Sequence, residues 1–521
     1  MNFRILKKAR VLISLIFFLL ITFVFIDFAN ALTANMIRGI LYLQFIPSLI
    51  SFLGLAGMAA AGFIFVAASS LIFGRIYCST LCPLGTMQDI IIWLNRKFRK
   101  KKVLKKQRSY HALKYTVLFL VGILFVFGLI TPLLFFDPYS NFGRIIANTV
   151  RPVYLFLNNL GATALESVDV YTLYRVEPGV THWFSITFSL LLLVLIVWLS
   201  VKHARLFCNT LCPLGALLGL LSRYSLFRIS LEQNLCTSCG KCSAVCKAGC
   251  IDISEKKVDF SQCVGCLNCL TSCPSNGVLF TLKGRKSAPV IQEYDPTRRN
   301  ILSAALAATT TMAAMPLLAL QQRGGSKKCK SPQEVIRNYP VSPPGSVSLR
   351  HFNDSCTACH LCVSACPTHV IKPSFLEYGL AGIMQPRMDY LANYCNFDCI
   401  TCSEVCPTGA LQPLSIDEKH VLQLGKVNFI KYNCIVYTEG TDCGACSEHC
   451  PTKAVDMRPY MDKLFLPVVD PEICVGCGAC EYACPTDPKS IYVDGNPLHL
   501  VAEVPQTEKL EQPDPEEDFP F

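Results

Sequence analysis

The sequence predicts a membrane protein in which an α-helical transmembrane domain is joined to small α+β modules built around clustered cysteines. Three observations predict this fold class. Of the 521 residues, 52% are hydrophobic and only 16% are charged, which is too apolar for a soluble protein of several domains. Apolar runs long enough to span a bilayer occupy the N-terminal part of the chain. Most of the thirty cysteines recur in groups of four in the remainder.

Residues 1–230 are predicted to form a membrane domain with four spans, at 11–28, 49–74, 115–136 and 183–201. Lys and Arg residues precede the first span, and ten more lie in the loop at 95–114, which places the N-terminus and this loop in the cytoplasm. The stretch 32–50 contains Arg38 and Pro47 and is interpreted as an interfacial or re-entrant piece on the outside. A cleaved signal peptide is the alternative for the first run, but its cleavage site is indistinct and further spans follow.

The net charge of +11 is explained by topology rather than by nucleic-acid binding. Residues 1–120 contain sixteen Lys or Arg against two acidic residues, and these cations lie beside apolar spans. We therefore expect a membrane as a partner and no nucleic acid.

A further apolar segment at 295–322 begins with Thr297-Arg298-Arg299-Asn300-Ile301-Leu302. It resembles a twin-arginine export signal, followed by about twenty small and apolar residues. A plain fifth span is the alternative, and both interpretations place residues 345–500 outside. A linker helix that does not cross is a third interpretation. The tail at 505–521 is acidic and proline-rich, which is typical of disorder.

Three of the six cysteine tetrads read C-x2-C-x2-C-x3-C-P, the spacing that holds a 4Fe-4S cluster, and a fourth keeps the cysteine spacing without the proline. Disulfides and zinc are disfavoured, because neither repeats three closely spaced cysteines before a proline. In such pairs the fourth cysteine of one tetrad ligates the neighbouring cluster. In the predicted cytoplasmic domain 231–285, Cys236, Cys239 and Cys242 with Cys273 are therefore expected to hold one cluster, and Cys263, Cys266 and Cys269 with Cys246 the other. Lys247 replaces the usual proline, and Cys250 is left as a spare.

The domain 345–500 contains four further tetrads, for a total of six clusters. Their cysteines are Cys356, Cys359, Cys362 and Cys366; Cys395, Cys399, Cys402 and Cys406; Cys434, Cys443, Cys446 and Cys450; and Cys474, Cys477, Cys480 and Cys484. The two inner tetrads carry insertions. These insertions fit a docking surface near the clusters as well as they fit neutral sequence drift. Repeated segments such as CPTGALQ and CPTKAVD follow the fourth cysteines and indicate a ferredoxin repeat.

Four more cysteines belong to one motif written twice, with Cys78 and Cys82 in the first copy and Cys208 and Cys212 in the second. Each copy reads CxxxCPLG and follows an even-numbered span, so both lie at the predicted cytoplasmic boundary. Brought together, four thiolates would suit an additional metal site or a dithiol relay. The structural alternative is that small buried cysteines shape the ends of the spans.

Given these motifs, residues 1–285 resemble NapH, a membrane ferredoxin subunit with four spans and two CxxxCP motifs. Residues 295–500 resemble NapG, its exported four-cluster partner, so the chain is similar to a fusion of the two. The resemblance implies quinol oxidation in the bacterial inner membrane and delivery of electrons to a periplasmic reductase of the nitrate reductase type or a small electron carrier. It also implies a nested cluster pairing in which Cys356, Cys359 and Cys362 pair with Cys484. Sequential pairing stays open, because the intervening lengths do not exclude it.

A quinol dehydrogenase needs a proton acceptor near a membrane face. Asp27 and Asp137 are candidates because each lies at the predicted outer end of a span, although an aspartate there more often caps a helix. His203 and Arg205 are candidates at the inner face. Two other functions stay open: a transmembrane conduit from a cytoplasmic ferredoxin-like donor, and a metal-centre assembly factor with thiol or copper reductase activity.

Overall fold

The computed structural model describes residues 3–28, 31–56, 61–98, 110–176, 182–282, 333–461 and 463–504. The predicted twin-arginine segment at 295–322 and the acidic tail at 505–521 lie outside these described residues. The described part consists of a helical domain (3–222), a first cluster module (227–282) and a second cluster module (333–504).

The helical domain contains long apolar helices and short helices that carry polar side chains inward. Its α-helices are Phe3–Ile26, Ala34–Leu41, Phe45–Ser51, Gly62–Phe73, Tyr77–Thr80, Pro83–Phe98, His111–Val126, Thr131–Phe136, Pro138–Ile145, Arg151–Glu166, Trp183–His203, Leu206–Thr210 and Pro213–Ser222, and two π-helical turns are Phe52–Ala56 and Ile146–Val150.

Two of these helices, Phe3–Ile26 and Trp183–His203, are long and apolar enough to cross a membrane. They correspond to the predicted first and fourth spans. The predicted spans at 49–74 and 115–136 are interrupted in the structure. The first contains the π-helical turn Phe52–Ala56, and the second ends at Val126, where Gly128 adopts φ +81° before a short helix begins at Thr131.

The stretch predicted to be interfacial or re-entrant folds as a bent helix pair. Ala34–Leu41 and the helical segment 45–54 meet at an angle of 112°. Pro47 lies in the first turn of the second helix, where its missing N–H costs no hydrogen bond. This geometry suits either a re-entrant loop or a broken span.

Large apolar side chains are exposed on several helices of this domain. Leu12, Phe65, Phe119 and Leu191 are each 60–66% exposed, on four different helices. Soluble proteins rarely expose apolar surface on this scale unless it contacts a partner or a bilayer. Together with the two long helices, this surface is compatible with membrane association.

The first cluster module is a small α+β unit closed by an antiparallel pair of outer strands, Phe227–Leu231 and Val278–Leu282. Between them lie the helices Lys241–Ala244 and Asn268–Ser272 and a short hairpin of Ile251–Asp252 with Lys257–Val258. Each helix begins within a cysteine loop, so the sheet holds the two cysteine loops against each other.

The second cluster module has two halves, each with two cysteine tetrads and one short antiparallel strand pair. Its α-helices are Leu349–Ser355, Leu361–Ala365, Thr401–Glu404, Ile416–Val421, Ile435–Thr438, Ala445–Glu448 and Ala479–Ala483, with 3-10 turns at Leu380–Gly382 and Lys431–Asn433. Its antiparallel strand pairs are Ile371–Pro373 with Pro386–Met388, Val455–Pro459 with Phe465–Val469, and Leu422–Phe429 with Ile491–Val501. The first pair lies in the half with the first two tetrads and the second pair in the half with the last two. The long pair connects the halves.

Candidate metal centres and the cavity beside them

The cysteines of the first cluster module line two separate cavities. One is lined by Cys236, Cys239, Cys242 and Cys273, and the other by Cys246, Cys263, Cys266 and Cys269, with Cys250 in addition. Each cavity therefore combines three cysteines of one tetrad with the fourth of the other, the arrangement that paired 4Fe-4S clusters require. The donor set of each cavity fits a 4Fe-4S cluster.

Cys250, left over by the sequence pattern, lies at the second of these cavities. Its sulfur is 3.6 Å from the sulfur of Cys246. In two other repeats the same position, four residues after the fourth cysteine, is occupied by the buried Ala410 and Ala454. The repeat itself contained the signal, because both alanines are buried in the same apolar clusters as the cysteines of their tetrads.

The sixteen cysteines of the second cluster module fall into four groups. Cysteines are called electrostatic neighbours where their thiols lie close enough together to affect each other's charge. The electrostatic neighbours define group I as Cys356, Cys359, Cys362 and Cys406; group II as Cys395, Cys399, Cys402 and Cys366; group III as Cys434, Cys443, Cys446 and Cys484; and group IV as Cys474, Cys477, Cys480 and Cys450.

This grouping corrects the nested pairing that the family resemblance implied. Cys356 lies near Cys406 rather than near Cys484, and the exchange joins consecutive tetrads. The physical reason is that each pair of consecutive tetrads folds around its own buried core. Cys366 and Cys395 share one apolar cluster, and Cys446 and Cys484 share another.

Backbone amides approach the cysteine sulfurs where the sequence has small residues. The N–H of Ala358 donates to Cys356 Sγ at 3.4 Å, and the N–H of Gly476 donates to Cys474 Sγ at 3.3 Å. Such hydrogen bonds stabilise the reduced form of a cluster, because they reduce the negative charge on its sulfurs.

The two halves of the second module meet at groups II and IV. The N–H of Cys395 donates to the carbonyl oxygen of Cys477 at 2.9 Å, and the two thiols are electrostatic neighbours. With the cysteine exchange inside each half, the groups therefore follow the spatial order I, II, IV, III. This order differs from the order of the tetrads along the chain.

Group I lies against the helical domain. Asn148, in the π-helical turn Ile146–Val150, is 3.1 Å from His360 in the loop of group I, and the rings of Phe184 and Phe375 are 4.6 Å apart. A Cβ atom at Gly143 would collide with the carbonyl oxygen of Cys359, so the helix backbone itself touches this loop. π-helical turns often mark functional positions, because they are less stable than regular helix.

The four cysteines of the CxxxCP motifs come together near the first cluster module. All four are buried. Cys82 of the first motif has Cys208 of the second as an electrostatic neighbour, and Cys212 of the second has Cys78 of the first. The sulfurs of Cys82 and Cys212 accept hydrogen bonds from the N–H groups of Gly85 and Gly215, which lie in the first turns of the following helices. In the described part of the chain, no group of three or more His, Cys, Asp or Glu side chains is placed to hold a single metal ion.

Asp27 and Asp137, the predicted proton acceptors, both bind backbone amides. Asp27 accepts hydrogen bonds from the N–H groups of Ala31 and Leu32. Asp137 is fully buried and caps the helix Pro138–Ile145 by accepting from the N–H and hydroxyl of Ser140 at 2.8 and 2.6 Å. This geometry favours the helix-capping alternative at Asp137, whereas Asp27 binds two amides of the connection that precedes the helix Ala34–Leu41.

A large cavity lies between the helical domain and the first cluster module. Its volume is about 810 Å³, and it is lined by side chains of the helices Phe3–Ile26 and Pro83–Phe98 and by residues beside the cluster ligands. The wall residues Val245 and Lys247 flank Cys246, and Asn268 and Ser272 flank Cys269 and Cys273. The cavity thus adjoins the loops of both clusters of this module.

Asp89 is the acidic residue of this cavity, and the sequence interpretation missed it. Three cations surround its carboxylate: Arg205 at 2.7 Å, Lys247 at 2.9 Å and Arg10 at 3.8 Å. Burial alone would raise the pKa of Asp89, but Arg205 and Lys247 hold it below its ordinary value. Arg205, a candidate from the sequence, reaches the cavity only through this ion pair. Asp89 and Asp27 are the acidic residues among the first 120, so the charge count already distinguished Asp89.

Arg10 adds an unsatisfied donor to the cavity wall. Its side chain is 6% exposed, its Nη1 donates to the carbonyl of Ser79 at 2.8 Å, and its Nε has no hydrogen-bond partner among the described residues. A buried donor without a partner is costly, and a polar ligand atom in the cavity would satisfy it.

The fold and the cysteine groups define a 4Fe-4S electron-transfer protein of the ferredoxin type. A 4Fe-4S binding domain family matches residues 55–101 and 185–232, the two segments that contain the CxxxCP motifs, and a second one matches 233–249. A 4Fe-4S dicluster domain family matches 355–410 and 441–487. The first dicluster match covers the first two tetrads, and the second covers the last tetrad and three of the four cysteines of the third, in agreement with the observed grouping.

Among curated proteins, the chain is similar to several that are named ferredoxin-type proteins. It is 30% identical to the methylamine utilization ferredoxin-type protein MauN of Methylobacillus flagellatus, over 39% of this chain and 58% of the relative. It is 25% identical to the ferredoxin-type protein NapH of Haemophilus influenzae, over 40% of this chain and 63% of the relative. It is 29% identical to the ferredoxin-type protein NapF of Escherichia coli, over 26% of this chain and 74% of the relative. No solved structure matches the chain.

Proposed function

We propose that this protein is a quinol dehydrogenase of the inner membrane that passes electrons through six 4Fe-4S clusters to a periplasmic reductase or small electron carrier. The observation that carries the proposal is the cavity at Asp89. It combines an apolar wall, a buried carboxylate and direct contact with the loops of two cluster sites.

The cavity wall has the chemistry of a quinol site. Val11, Leu15, Ile90, Ile92 and Trp93 supply apolar surface for a ring and its isoprenoid tail. Trp93 is 57% exposed, so this side of the cavity faces the surroundings of the helices. A ligand dissolved in the bilayer could enter there.

Polar atoms at one side of the cavity match the head group. Asp89 stays ionised because of its cations, so it can accept a hydrogen bond from a quinol hydroxyl and orient the head group. The unpartnered Nε of Arg10 can donate to the oxygen that becomes a carbonyl. Oxidation releases two electrons and two protons; the two neighbouring 4Fe-4S clusters, when bound, would take one electron each, and the protons would leave to water at the predicted cytoplasmic face.

The helix Phe3–Ile26 connects this site with the second cluster module. Lys7 near its start donates to Thr271 of the first module at 3.4 Å, and the helix also contacts Leu361–Ala365 in group I. Its 24 residues span roughly 36 Å, about the thickness of a bilayer core. This supports a first module in the cytoplasm and a second in the periplasm, as the charge distribution predicts.

The same arrangement also favours a second candidate, a transmembrane conduit fed by a cytoplasmic ferredoxin-like donor. The exposed Cys239 in the first module offers an entry for a soluble donor. The two candidates differ only in the donor, so they can be distinguished directly.

The test is reduction of the purified full-length protein by menaquinol, followed by EPR. Wild type should show reduced clusters, and Trp93→Ala and Asp89→Asn should show slower reduction by menaquinol but unchanged reduction by dithionite. Asp252→Asn, in the short hairpin of the first module and away from the cavity wall, is the matched control and should behave as wild type.

Three results would reject the proposal in different ways. Reduction by a reduced ferredoxin but not by menaquinol would favour the conduit. Unchanged menaquinol kinetics in both cavity variants would exclude this cavity as the site. Copper binding by Cys78, Cys82, Cys208 and Cys212, with the clusters dispensable, would favour the assembly factor.

A further inference from the structure

Two buried donors of the helical domain face group I. The side chains of Tyr139 and Arg144 are 1% and 0% exposed. The hydroxyl of Tyr139 interacts with the thiol of Cys359 and has no other side-chain partner, and the Nη1 of Arg144 makes no hydrogen bond to any residue that the structure describes. Native structures rarely leave such groups unsatisfied, because an unpaired buried donor costs about 1–3 kcal/mol.

The nearest candidates for acceptors are the cysteines of group I. Among ionisable groups, Cys359 has the largest electrostatic effect on Tyr139, whereas Arg144 has Asp137 as its strongest charged neighbour, followed by Cys359 and Cys356. The other hydrogen bonds of Arg144 go to the carbonyl oxygens of Ser140 and Leu134, and none goes to a carboxylate among the described residues. The guanidinium therefore faces the cysteine sulfurs as a buried positive charge.

Both donors lie on one short helix, Pro138–Ile145, which the helical domain presses against the loop of group I. Gly143 lies between them on this helix, and it touches the carbonyl of Cys359 because it has no side chain. The contact fixes the donors close to the sulfurs. Groups II, III and IV follow group I in the spatial order, further along the second module.

We infer that the cluster of group I is the point at which electrons enter the second module, and that Tyr139 and Arg144 raise its reduction potential from the helical domain. The entry point rests on the proposed direction of electron flow, whereas the effect on potential does not. Group I, when loaded, would supply the one-electron acceptor, and the first module, when loaded, would supply the electrons that quinol oxidation delivers. In the transfer between them no bond forms or breaks, and no proton moves.

The physical reason is electrostatic. Reduction adds a negative charge to the cluster, and a positive guanidinium or a hydroxyl donor beside the sulfurs stabilises that charge. Asp137 opposes the effect, because its buried carboxylate is also a neighbour of Cys359. Arg144 and Asp137 should therefore shift the potential of one cluster in opposite directions.

The first test is a potentiometric titration of the full-length protein with redox mediators, followed by EPR. The group I signal is identified by its loss in Cys359→Ala. Arg144→Gln and Tyr139→Phe should lower its potential, and Asp137→Asn should raise it while preserving the helix cap, since Asn caps as well as Asp. A merely structural role would not produce shifts of opposite sign.

Two buried residues of the same domain serve as controls. Tyr77→Phe removes a hydroxyl that donates to Gln44, and Arg151→Gln removes a cation whose cysteine neighbour is Cys366 of group II. Both should leave the group I potential unchanged. A group I potential that is equal in wild type, Arg144→Gln and Asp137→Asn would overturn the tuning inference.

The second test concerns entry. In Cys359→Ala, menaquinol should still reduce the first module, and groups II, III and IV should stay oxidised although dithionite reduces them. Reduction of these groups by menaquinol at the wild-type rate would show that electrons enter elsewhere. Failure of menaquinol to reduce wild type would reject the proposed function instead, and the mediator titration would still decide the tuning.

Discussion

Arg205 donates a hydrogen bond to the carbonyl oxygen of Cys78 at 2.6 Å, across the two copies of the CxxxCP motif. The reverse contact also exists, since Arg75 donates to the carbonyl oxygen of Cys208 at 3.0 Å. Each copy is thus held by the arginine of the other. The symmetry ends at the charge partners: Arg205 pairs with the carboxylate of Asp89, whereas Arg75 pairs with the amide oxygen of Asn209 at 2.9 Å.

This reciprocal contact predicts a steric requirement at the two glycines of the CPLG sequences. A Cβ at Gly85 would collide with the carbonyl of Cys78, and one at Gly215 with the carbonyl of Cys208. Gly85→Ala and Gly215→Ala should each destabilise the protein by about 1–3 kcal/mol, because the backbones must move apart. Thermal unfolding in detergent, measured by tryptophan fluorescence, checks this.

Gly122→Ala is the matched control for these two variants. Gly122 lies in the helix His111–Val126, and an added Cβ there would meet no atom within 4 Å, so alanine should stabilise this helix slightly. Equal melting temperatures for Gly85→Ala, Gly215→Ala and wild type would contradict the tight contact.

The sequential grouping of the second module predicts how many clusters a double variant loses. Cys356 and Cys406 belong to one group, so replacing both with serine should remove the iron of one cluster. Cys356 and Cys484 belong to groups I and III, so replacing both should remove the iron of two clusters. Iron analysis and EPR of the purified variants measure this. The nested arrangement predicts the reverse result.

His499 makes the second module sensitive to acid. Burial lowers the pKa of His499 to about 4, while its Nε2 lies 2.9 Å from the hydroxyl of Ser342. The unfolded chain protonates near pH 6.5, so stability is complete above that pH and falls as the pH decreases toward 4. At pH 5 the loss should be roughly 1–2 kcal/mol.

Amide hydrogen exchange of the strand Ile491–Val501 in the full-length protein checks this expectation. Exchange should accelerate between pH 7 and 5 beyond the intrinsic change, and His499→Gln should remove most of the excess. An excess that persists in His499→Gln would assign the acid sensitivity to other groups, such as the clusters.

The cysteine spacing predicted the exchange pairs of the first module because three ligands in seven residues leave the backbone little freedom. It could not decide the pairing in the second module, where the choice depends on which tetrads share an apolar core. Similarly, hydropathy identified Phe3–Ile26 and Trp183–His203. The breaks near Phe52 and Gly128 depend on local backbone conformation. Hydropathy averaged over a stretch of residues does not detect such breaks.

Asp89 was missed for a related reason. It lies in an amphipathic helix six residues after Cys-Pro, and only tertiary contacts bring Arg10, Arg205 and Lys247 around it. Asp137 was selected for its position at the end of a span, yet its local sequence, Asp-Pro-Tyr-Ser, already contains a helix N-cap followed by proline. A capping pattern in the sequence is therefore evidence against a catalytic role for such an aspartate.

Cys250 provides the last prediction, because five cysteines line a cavity that needs four ligands. The Cys246 and Cys250 sulfurs are only 3.6 Å apart, so Cys250 can replace Cys246 as the fourth ligand after a small shift. Cys246→Ala should therefore retain this cluster, whereas Cys269→Ala, which removes a ligand that Cys250 does not contact, and the double variant Cys246→Ala/Cys250→Ala should lose it. Iron content and EPR of the three variants distinguish these outcomes. Loss of the cluster in Cys246→Ala alone would show that Cys250, like the alanines of two other repeats, only fills space.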